Sequence, residues 1–409
     1  MNTQQTEDEL SRVLFREQDD DNLPALLLLE LGSDSRATDI HIDPEQDGFA
    51  VRLRIDGHLR ELGRLSSGDG GHLENQFRAL ASIDPGRAFV PRGAHFAAEV
   101  DGSDIDVRLT LAPCIDGPKL ALRLLDPKRV RLPLNQLGMD GEQLEKIEHW
   151  LLELGGLFIV SGPTGSGKTT TLYALLHQLT DRGRHLLTAE DPVEYHIDGI
   201  NQIQVDKTHG LDFPSAIRCM LRLDPDDLMV GETRDSETAA AAIRAAISGH
   251  TVLTTLHARD VVAGVTALRI HGASDYEISS AASVFVNQRL VRLLCPDCRD
   301  EANPTHAESR WLEARDITPP PTAMRPGGCS ACSGTGYHHR TGIFETWHLE
   351  QGDFDLLLAG APEQELRSHQ RQTQRTNLVD AAMTLVREGR TSLAEAMSAC
   401  AGVPKQPAP

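Results

Sequence analysis

Residues 162–169 read Gly-Pro-Thr-Gly-Ser-Gly-Lys-Thr, a full match to the spacing G-x-x-x-x-G-K-[ST]. Glycines let a backbone wrap a β-phosphate with its N–H groups, and a following helix N-terminus adds favourable partial charge. The chemistry is phosphate binding. Gly162, Pro163, Thr164, Gly165, Ser166, Gly167, Lys168, Thr169 and Thr170 make the candidate loop. Lys168 is expected to reach the β- and γ-phosphates, and the Thr169 hydroxyl to bind Mg²⁺. Such a loop works between a strand and a helix. Gly156-Leu-Phe-Ile-Val-Ser161 is a short apolar run that predicts a buried strand, and the run 169–176 predicts a helix. A glycine-rich turn without a ligand is the bland alternative, and both flanking elements argue against it.

A second set of residues has ligand chemistry. Cys295-Pro-Asp-Cys298 and Cys329-Ser-Ala-Cys332 form two C-x₂-C pairs separated by thirty residues. Each pair directs two thiolates at one point, and two such pairs supply a closed tetrahedral Zn²⁺ site. With no open position, the site is structural. Disulfides and metal-free thiols are the alternatives, and a cytosolic chain disfavours disulfides. Cys114, Cys219 and Cys400 are scattered and read as small buried hydrophobes.

The elements around the loop are expected to position further groups. From about residue 139 strand and helix patterns alternate, with strands at 157–161, 185–189, 227–231 and 251–256. An alanine-rich helical stretch, 236–248, joins the last two. That alternation predicts a parallel sheet covered by helices, whose ligands bind beyond the carboxyl ends of the strands. Those ends carry Glu190, Asp191, Glu194, Glu232 and His257. ATP hydrolysis needs this inventory: a carboxylate to orient or deprotonate water, acidic groups near Mg²⁺, and a polar sensor of the γ-phosphate.

Ahead of this core, 23–126 predicts a small α+β domain. Runs 39–43, 49–55, 104–111 and 119–125 alternate as half-buried strands do, with Asp56-Gly57 marking a hairpin. Residues 1–22 read as an acidic flexible tail, 127–138 as a linker, 139–400 as the main domain with the tetracysteine insert at 295–332, and 401–409 as a disordered tail. The insert reads as loop-rich and the chain beyond it as helical. The net charge of −20 with 4% aromatic residues argues against a chain that binds nucleic acid directly. The longest apolar run near the start, Ala25 to Leu29, is too short to cross a bilayer, so no transmembrane segment is expected and the chain reads as cytoplasmic.

Taken together, these motifs resemble the secretion ATPases of type II secretion systems and type IV pilus assembly. The resemblance spans roughly 23–400. It rests on 162–173, on Thr188-Ala-Glu-Asp-Pro-Val-Glu-Tyr195, on the stretch 221–235 ending Gly-Glu-Thr-Arg-Asp, and on Gly249-His-Thr-Val-Leu-Thr-Thr-Leu-His257. Ala37-Thr-Asp-Ile-His-Ile-Asp-Pro44 and Val51-Arg-Leu-Arg-Ile-Asp-Gly57 are similar to the family's N-terminal signature. The resemblance implies an α/β fold: a RecA-like P-loop NTPase core, preceded by a PAS-like domain, in a homo-hexameric ring with ATP between the two domains. It implies that Glu232 polarises water, that Glu190 and Glu194 support Mg²⁺ and the water network, and that His257 senses the γ-phosphate. Arg52, Arg54 and Arg60 are the candidate phosphate-facing arginines, with strand-surface charge as the alternative for Arg52 and Arg54. The turn 86–93 matches the family's arginine-rich turn poorly, which leaves Arg87 and Arg92 outside the catalytic set. The common core begins near residue 23, so the longer N-terminal docking domain of many members is not expected here.

The implied function is an ATP-driven motor for pilin or pseudopilin assembly. It would act peripherally at the inner membrane through platform and adaptor proteins. A retraction or DNA-uptake motor of the same superfamily is the alternative enzyme, and a nucleotide-dependent scaffold without turnover is the alternative of another class. The tetracysteine insert favours the assembly group.

Overall fold

The computed structural model describes residues 10, 14, 23–84, 90–100, 102–125, 132–153, 155–373 and 376–403. The chain divides into two compact units, 1–130 and 131–409. The tail reading for 1–22, apart from Leu10 and Leu14, lies outside the described residues, as do Arg87, most of the linker's basic half and 404–409.

The first unit is an antiparallel sheet of β1 (Ala37–Glu45), β2 (Gly48–Ile55), β3 (His58–Leu65), β4 (Arg92–Val100), β5 (Ser103–Cys114) and β6 (Gly117–Leu125). Their order is β3-β2-β1-β6-β5-β4. Helices Pro24–Asp34 and Ser67–Leu80 bury Leu28, Leu29, Leu73 and Phe77 in one core with Ile40, Ile42, Leu120 and Leu122. The β2–β3 hairpin turns through Asp56 (φ 49°) and Gly57 (φ 86°). Two successive positive φ values are what a tight hairpin demands, and Asp-Gly supplies them cheaply. Gly70 is needed for a different reason: a Cβ there would sit 2.0 Å from the Phe49 ring.

Two strands lack a clear alternation in the sequence. A register shift between Val51 and Arg52 breaks the period of β3. In β4 the inward positions include Ala94 and Ala98, whose small apolar signal hides the pattern.

The second unit is built on a seven-stranded sheet. Its strands are β7 (Gly156–Ser161), β8 (Leu186–Glu190), β9 (Asn201–Gln204), β10 (Asp227–Val230), β11 (Thr251–Leu256), β12 (Ala282–Leu294) and β15 (Tyr337–His348). They lie in the order β15-β12-β7-β11-β10-β8-β9. All neighbours are parallel except β15, which runs antiparallel to β12. The central strands are buried on both faces, as parallel strands covered by helices are. Asp212, Asp235 and Asp260 cap the helices that start after them, each accepting an N–H at 2.8–2.9 Å.

Three expectations are corrected. The segment 295–332 contains β13 (Asp300–Ala302), β14 (Ala323–Arg325) and a helix, His306–Glu313, so it is more ordered than a loop-rich insert. The chain after it is not all helical, because β15 completes the main sheet. Glu345, Thr346 and Thr341 are polar yet buried in β15, which blurred its strand signal. Finally, Cys114 and Cys219 are exposed, and only Cys400 of the scattered cysteines is buried.

Candidate functional site

The phosphate loop stands between β7 and helix Lys168–Thr180, as its chemistry requires. Gly162, Gly165 and Gly167 take φ values of 150°, 77° and 90°. A Cβ on Gly162 would meet Gln288 O at 2.5 Å and Ser166 Oγ at 2.6 Å, so only glycine fits. Lys168 Nζ donates to Gly162 O at 2.9 Å and Pro163 O at 3.1 Å. Burial, and then the Arg289 charge, lower its ammonium below the ordinary value, with Glu232 opposing. Among the described residues the buried Ser166 Oγ has no hydrogen-bond partner. Pro163, Thr164 and Gly165 are exposed at the tip, and Thr169 and Thr170 are half-buried at the helix start.

The register explains what gathers here. Leu256 of β11 lies beside Ser161 of β7, so His257 leaves β11 at the level where Gly162 leaves β7. Val230 of β10 lies beside Thr254 of β11 and Ala189 of β8. Gly231, Glu232 and Glu190 therefore emerge at the same edge. Thr255 Oγ1 donates to Gly231 O at 2.8 Å, and Thr233 N to Thr255 O at 2.9 Å, tying the two strand ends together. Glu232 pairs with Arg234 at 2.5 Å. Burial first, then Lys168 and Arg234, lower the His257 imidazole, while Glu232 pulls the other way. Lys168, Glu232, Arg234 and His257 thus share one electrostatic neighbourhood.

Glu190 is buried rather than open. It accepts from Tyr173 Oη, from Thr188 Oγ1 at 2.7 Å and from Gln202 Nε2 at 3.1 Å. Glu194 is half-buried and Asp191 exposed in the loop that follows.

Several contributors were not singled out in the sequence. β12 brings Asn287, Gln288 and Arg289 against the loop. Asn287 Nδ2 donates to Ser161 Oγ at 2.7 Å, and Thr171 Oγ1 donates to Gln288 Oε1 at 2.7 Å. The signal available was an uninterrupted polar triplet inside an apolar strand. Tyr173 and Arg234 lay within motifs already quoted, without an assigned role.

In the first unit, Arg52 and Arg54 share one strand face and Arg60 takes the other: Arg52 faces Glu61, Arg54 faces Leu59, and Arg60 faces Leu53. Arg52 is paired with Asp43 at 2.5 Å and Glu45 at 3.2 Å, and Arg54 with Asp39 at 3.7 Å. The hydrogen bond to Asp43 first, and then the Asp43 and Glu45 charges, raise the Arg52 guanidinium above its ordinary value. This is a ladder of strand-surface charge. Arg92 opens β4.

The four cysteines of the two pairs converge. Their Sγ atoms all lie within 4.8 Å of one another, with Cys295–Cys329, Cys298–Cys332 and Cys329–Cys332 each at 3.8 Å. A tetrahedron with metal–sulfur bonds of about 2.3 Å has edges of about 3.8 Å. A disulfide needs about 2.05 Å, so these are not disulfides. Gly328 N donates to Cys298 Sγ at 3.1 Å; Cys329 N and Gly336 N donate to Cys332 Sγ at 3.2 and 3.1 Å. Burial works to raise the Cys332 thiol, but the Cys329 and Gly336 N–H groups outweigh it and bring it to about 6. Cys295 and Cys298 shift the other way, Cys295 through burial and Cys298 up to about 12, so the lowered thiol belongs to Cys332 and not to the whole set.

Comparison with known proteins follows the same lines. The family model described as Type II/IV secretion system protein matches residues 26–398. Type II secretion system protein E of Pseudomonas aeruginosa is 37% identical over 386 residues, covering 94% of this chain and 76% of that protein. Type II secretion system ATPase E of Vibrio cholerae is 38% identical over 386 residues, with the same coverage. Among solved structures, the ATPase DotB of Legionella pneumophila superposes with a TM-score of 0.68 at 22% identity, covering 95% of this chain and 98% of that one. The pilus retraction motor PilT with bound ADP gives 0.64 at 23%, covering 93% and 97%. At these identities the two structures bear on the fold alone.

Proposed function

The chain belongs to the type II/IV secretion system protein family, and on that premise we propose that it is an ATP-hydrolysing motor that powers assembly of pilin or pseudopilin filaments. One observation carries the reading: Glu232, Arg234 and His257, past the C-terminal strand ends, share one electrostatic neighbourhood with Lys168 of a loop that needs glycine at 162, 165 and 167.

In this reading the loop N–H groups and Lys168 bind the β- and γ-phosphates of ATP. The ammonium exchanges its hydrogen bonds to Gly162 O and Pro163 O for phosphate oxygens. Thr169 would hold Mg²⁺, with Glu194 as a supporting carboxylate; the ion neutralises phosphate charge when bound. Ser166 Oγ, buried and unpartnered, fits a polar ligand in the loop. Glu232 orients or deprotonates the attacking water, and Arg234 holds its carboxylate in place. Glu190, locked by Tyr173, Thr188 and Gln202, shapes the edge of the water site. His257 follows the γ-phosphate as a neutral imidazole.

The tetracysteine cluster would hold one Zn²⁺ as a structural clamp. It lies on a segment that carries none of the phosphate-binding residues. Arg52, Arg54 and Arg60 act at the phosphates only if the first unit's carboxylates release Arg52 and Arg54. The working state is a homo-hexamer on the cytoplasmic side of the inner membrane, engaged with platform and adaptor proteins. No helix among the described residues is long and apolar enough to cross a membrane.

The test is phosphate release from ATP by the purified full chain with Mg²⁺. Turnover is expected, and Lys168→Ala should abolish it by removing the point charge at the β/γ-phosphates. No nucleotide binding by the wild-type chain would reject the reading.

A further inference from the structure

Arg289 is a buried charge with no part in the phosphate contacts proposed for Lys168 and the loop. It lies on β12, two positions past Asn287, which is the register partner of Ser161 at the end of β7. Its guanidinium therefore stands behind the phosphate loop, and its Nη1 would lie 3.3 Å from a Cβ on Gly162. The residue is only 8% exposed. Burying a cation is expensive unless an anion compensates it.

Its hydrogen bonds all go to uncharged acceptors. Nη1 donates to Asn287 Oδ1 at 2.8 Å and Gln288 O at 3.0 Å, and Nη2 donates to Arg259 O at 3.0 Å. Among the described residues no carboxylate oxygen lies within 4.0 Å of it. The neighbouring carboxylates are engaged elsewhere. Asp260 takes both oxygens to Arg367 at 2.9 Å, and Glu345 accepts from Val261 N at 3.4 Å. Burial pushes the Glu345 carboxyl up to about 7, which weakens it as a counter-ion. Arg289 in turn lowers the Lys168 ammonium, so two cations bear on one loop. Such a pair is relieved when an anion enters between glycine N–H groups.

We propose that Arg289 is a positioning residue of the phosphate site. It holds the loop from behind through Gln288 and Asn287, and it adds a second buried positive charge that favours phosphate over any neutral occupant. Its bond to the Arg259 carbonyl also ties the loop to the start of helix Val261–Ile270, next to the Asp260–Arg367 pair. The inference rests on the nucleotide reading given above.

The test compares wild type, Arg289→Lys and Arg289→Met as full chains. Probes are ADP and inorganic tripolyphosphate, titrated with Mg²⁺, alongside thermal denaturation without either probe. Arg289→Met fills the space without charge. It is expected to weaken both probes about tenfold or more, in line with loss of a charge-assisted interaction, and to change the unliganded stability little, because relief of the buried charge offsets the donors lost to Asn287 Oδ1 and the Gln288 and Arg259 carbonyls. Arg289→Lys should recover much of the tripolyphosphate affinity. Wild-type affinity in Arg289→Met overturns the proposal. So does a loss of stability without loss of affinity, the mark of a merely structural arginine. If Arg289→Met does not fold, the lysine variant decides: tripolyphosphate binding as weak as that of Lys168→Ala overturns the charge role, and binding close to wild type upholds it. A wild-type chain that binds neither probe sinks the nucleotide reading itself.

Discussion

Tyr173, on the helix that follows the phosphate loop, donates its phenol hydrogen to the buried carboxylate of Glu190 at the end of β8. Burial, and then the Glu190 charge, push the phenol above its ordinary value, so it remains a donor at any working pH. The bond joins the loop helix to the acidic strand end. Tyr173→Phe removes one donor and leaves Glu190 to Thr188 and Gln202. A buried acceptor deprived of a partner costs about 1–3 kcal/mol. Thermal denaturation should show that loss, and phosphate release should fall because Glu190 is less well held. Unchanged stability would mean that Glu190 keeps its full set of partners without Tyr173.

Glu232, just past the end of β10, is held by Arg234, and in the proposed motor it is the group that acts on water. Glu232→Gln should retain ATP binding and stall hydrolysis, since an amide accepts no proton. The expected loss is about 10²-fold or more. Nucleotide titration and phosphate release, measured side by side, separate the two effects. Substantial turnover in the glutamine variant would remove Glu232 from the base role.

His257 sits below its ordinary value of 6.5, through burial and the Lys168 and Arg234 charges. It is thus neutral at pH 7 and gains its proton only as the pH falls further. An NMR titration should give a midpoint below 6.5. Arg234→Gln removes one lowering charge, so the midpoint should rise. An acid limb in the pH–rate profile should move with it. A wild-type midpoint above the ordinary value would contradict the electrostatic neighbourhood described here.

Cys295, Cys298, Cys329 and Cys332 should carry one Zn²⁺ per chain. Structural zinc in small peptides contributes on the order of 10–16 kcal/mol of apparent binding free energy. Replacing Cys329 and Cys332 by serine should disorder the surrounding segment and leave ADP affinity nearly intact. Metal analysis of protein purified without chelators, then an ADP titration of the double variant, checks both parts. Folded wild-type protein with negligible zinc would reject the clamp.

The local rules of the chain were legible in its sequence. Lys168 follows Gly162, Gly165 and Gly167 because that spacing is itself the geometry of the loop. Asp56-Gly57 is its own hairpin turn. Two C-x₂-C pairs state their ligand set. These features depend on neighbours within a few residues, and residue type alone constrains them. Four of the parallel strands, β7, β8, β10 and β11, announced themselves because they are buried on both faces and largely apolar, whereas the polar edge strand β9 and β12 with its polar triplet did not.

Pairing across the sheet was decided only by the tertiary structure. Nothing near Arg289 in the chain says that β12 lies against β7, or that Asn287 falls beside Ser161. That register is set by packing of the whole sheet, and it alone brings Gln288 and Arg289 against the glycine loop. The same holds for Arg52 and Arg54. Their spacing placed them on one face, but only the β1–β2 register shows that Asp39 and Asp43 share it. Sequence names the groups that can do chemistry. Long-range contacts decide which charges each group must live beside, and through them its protonation and its partners.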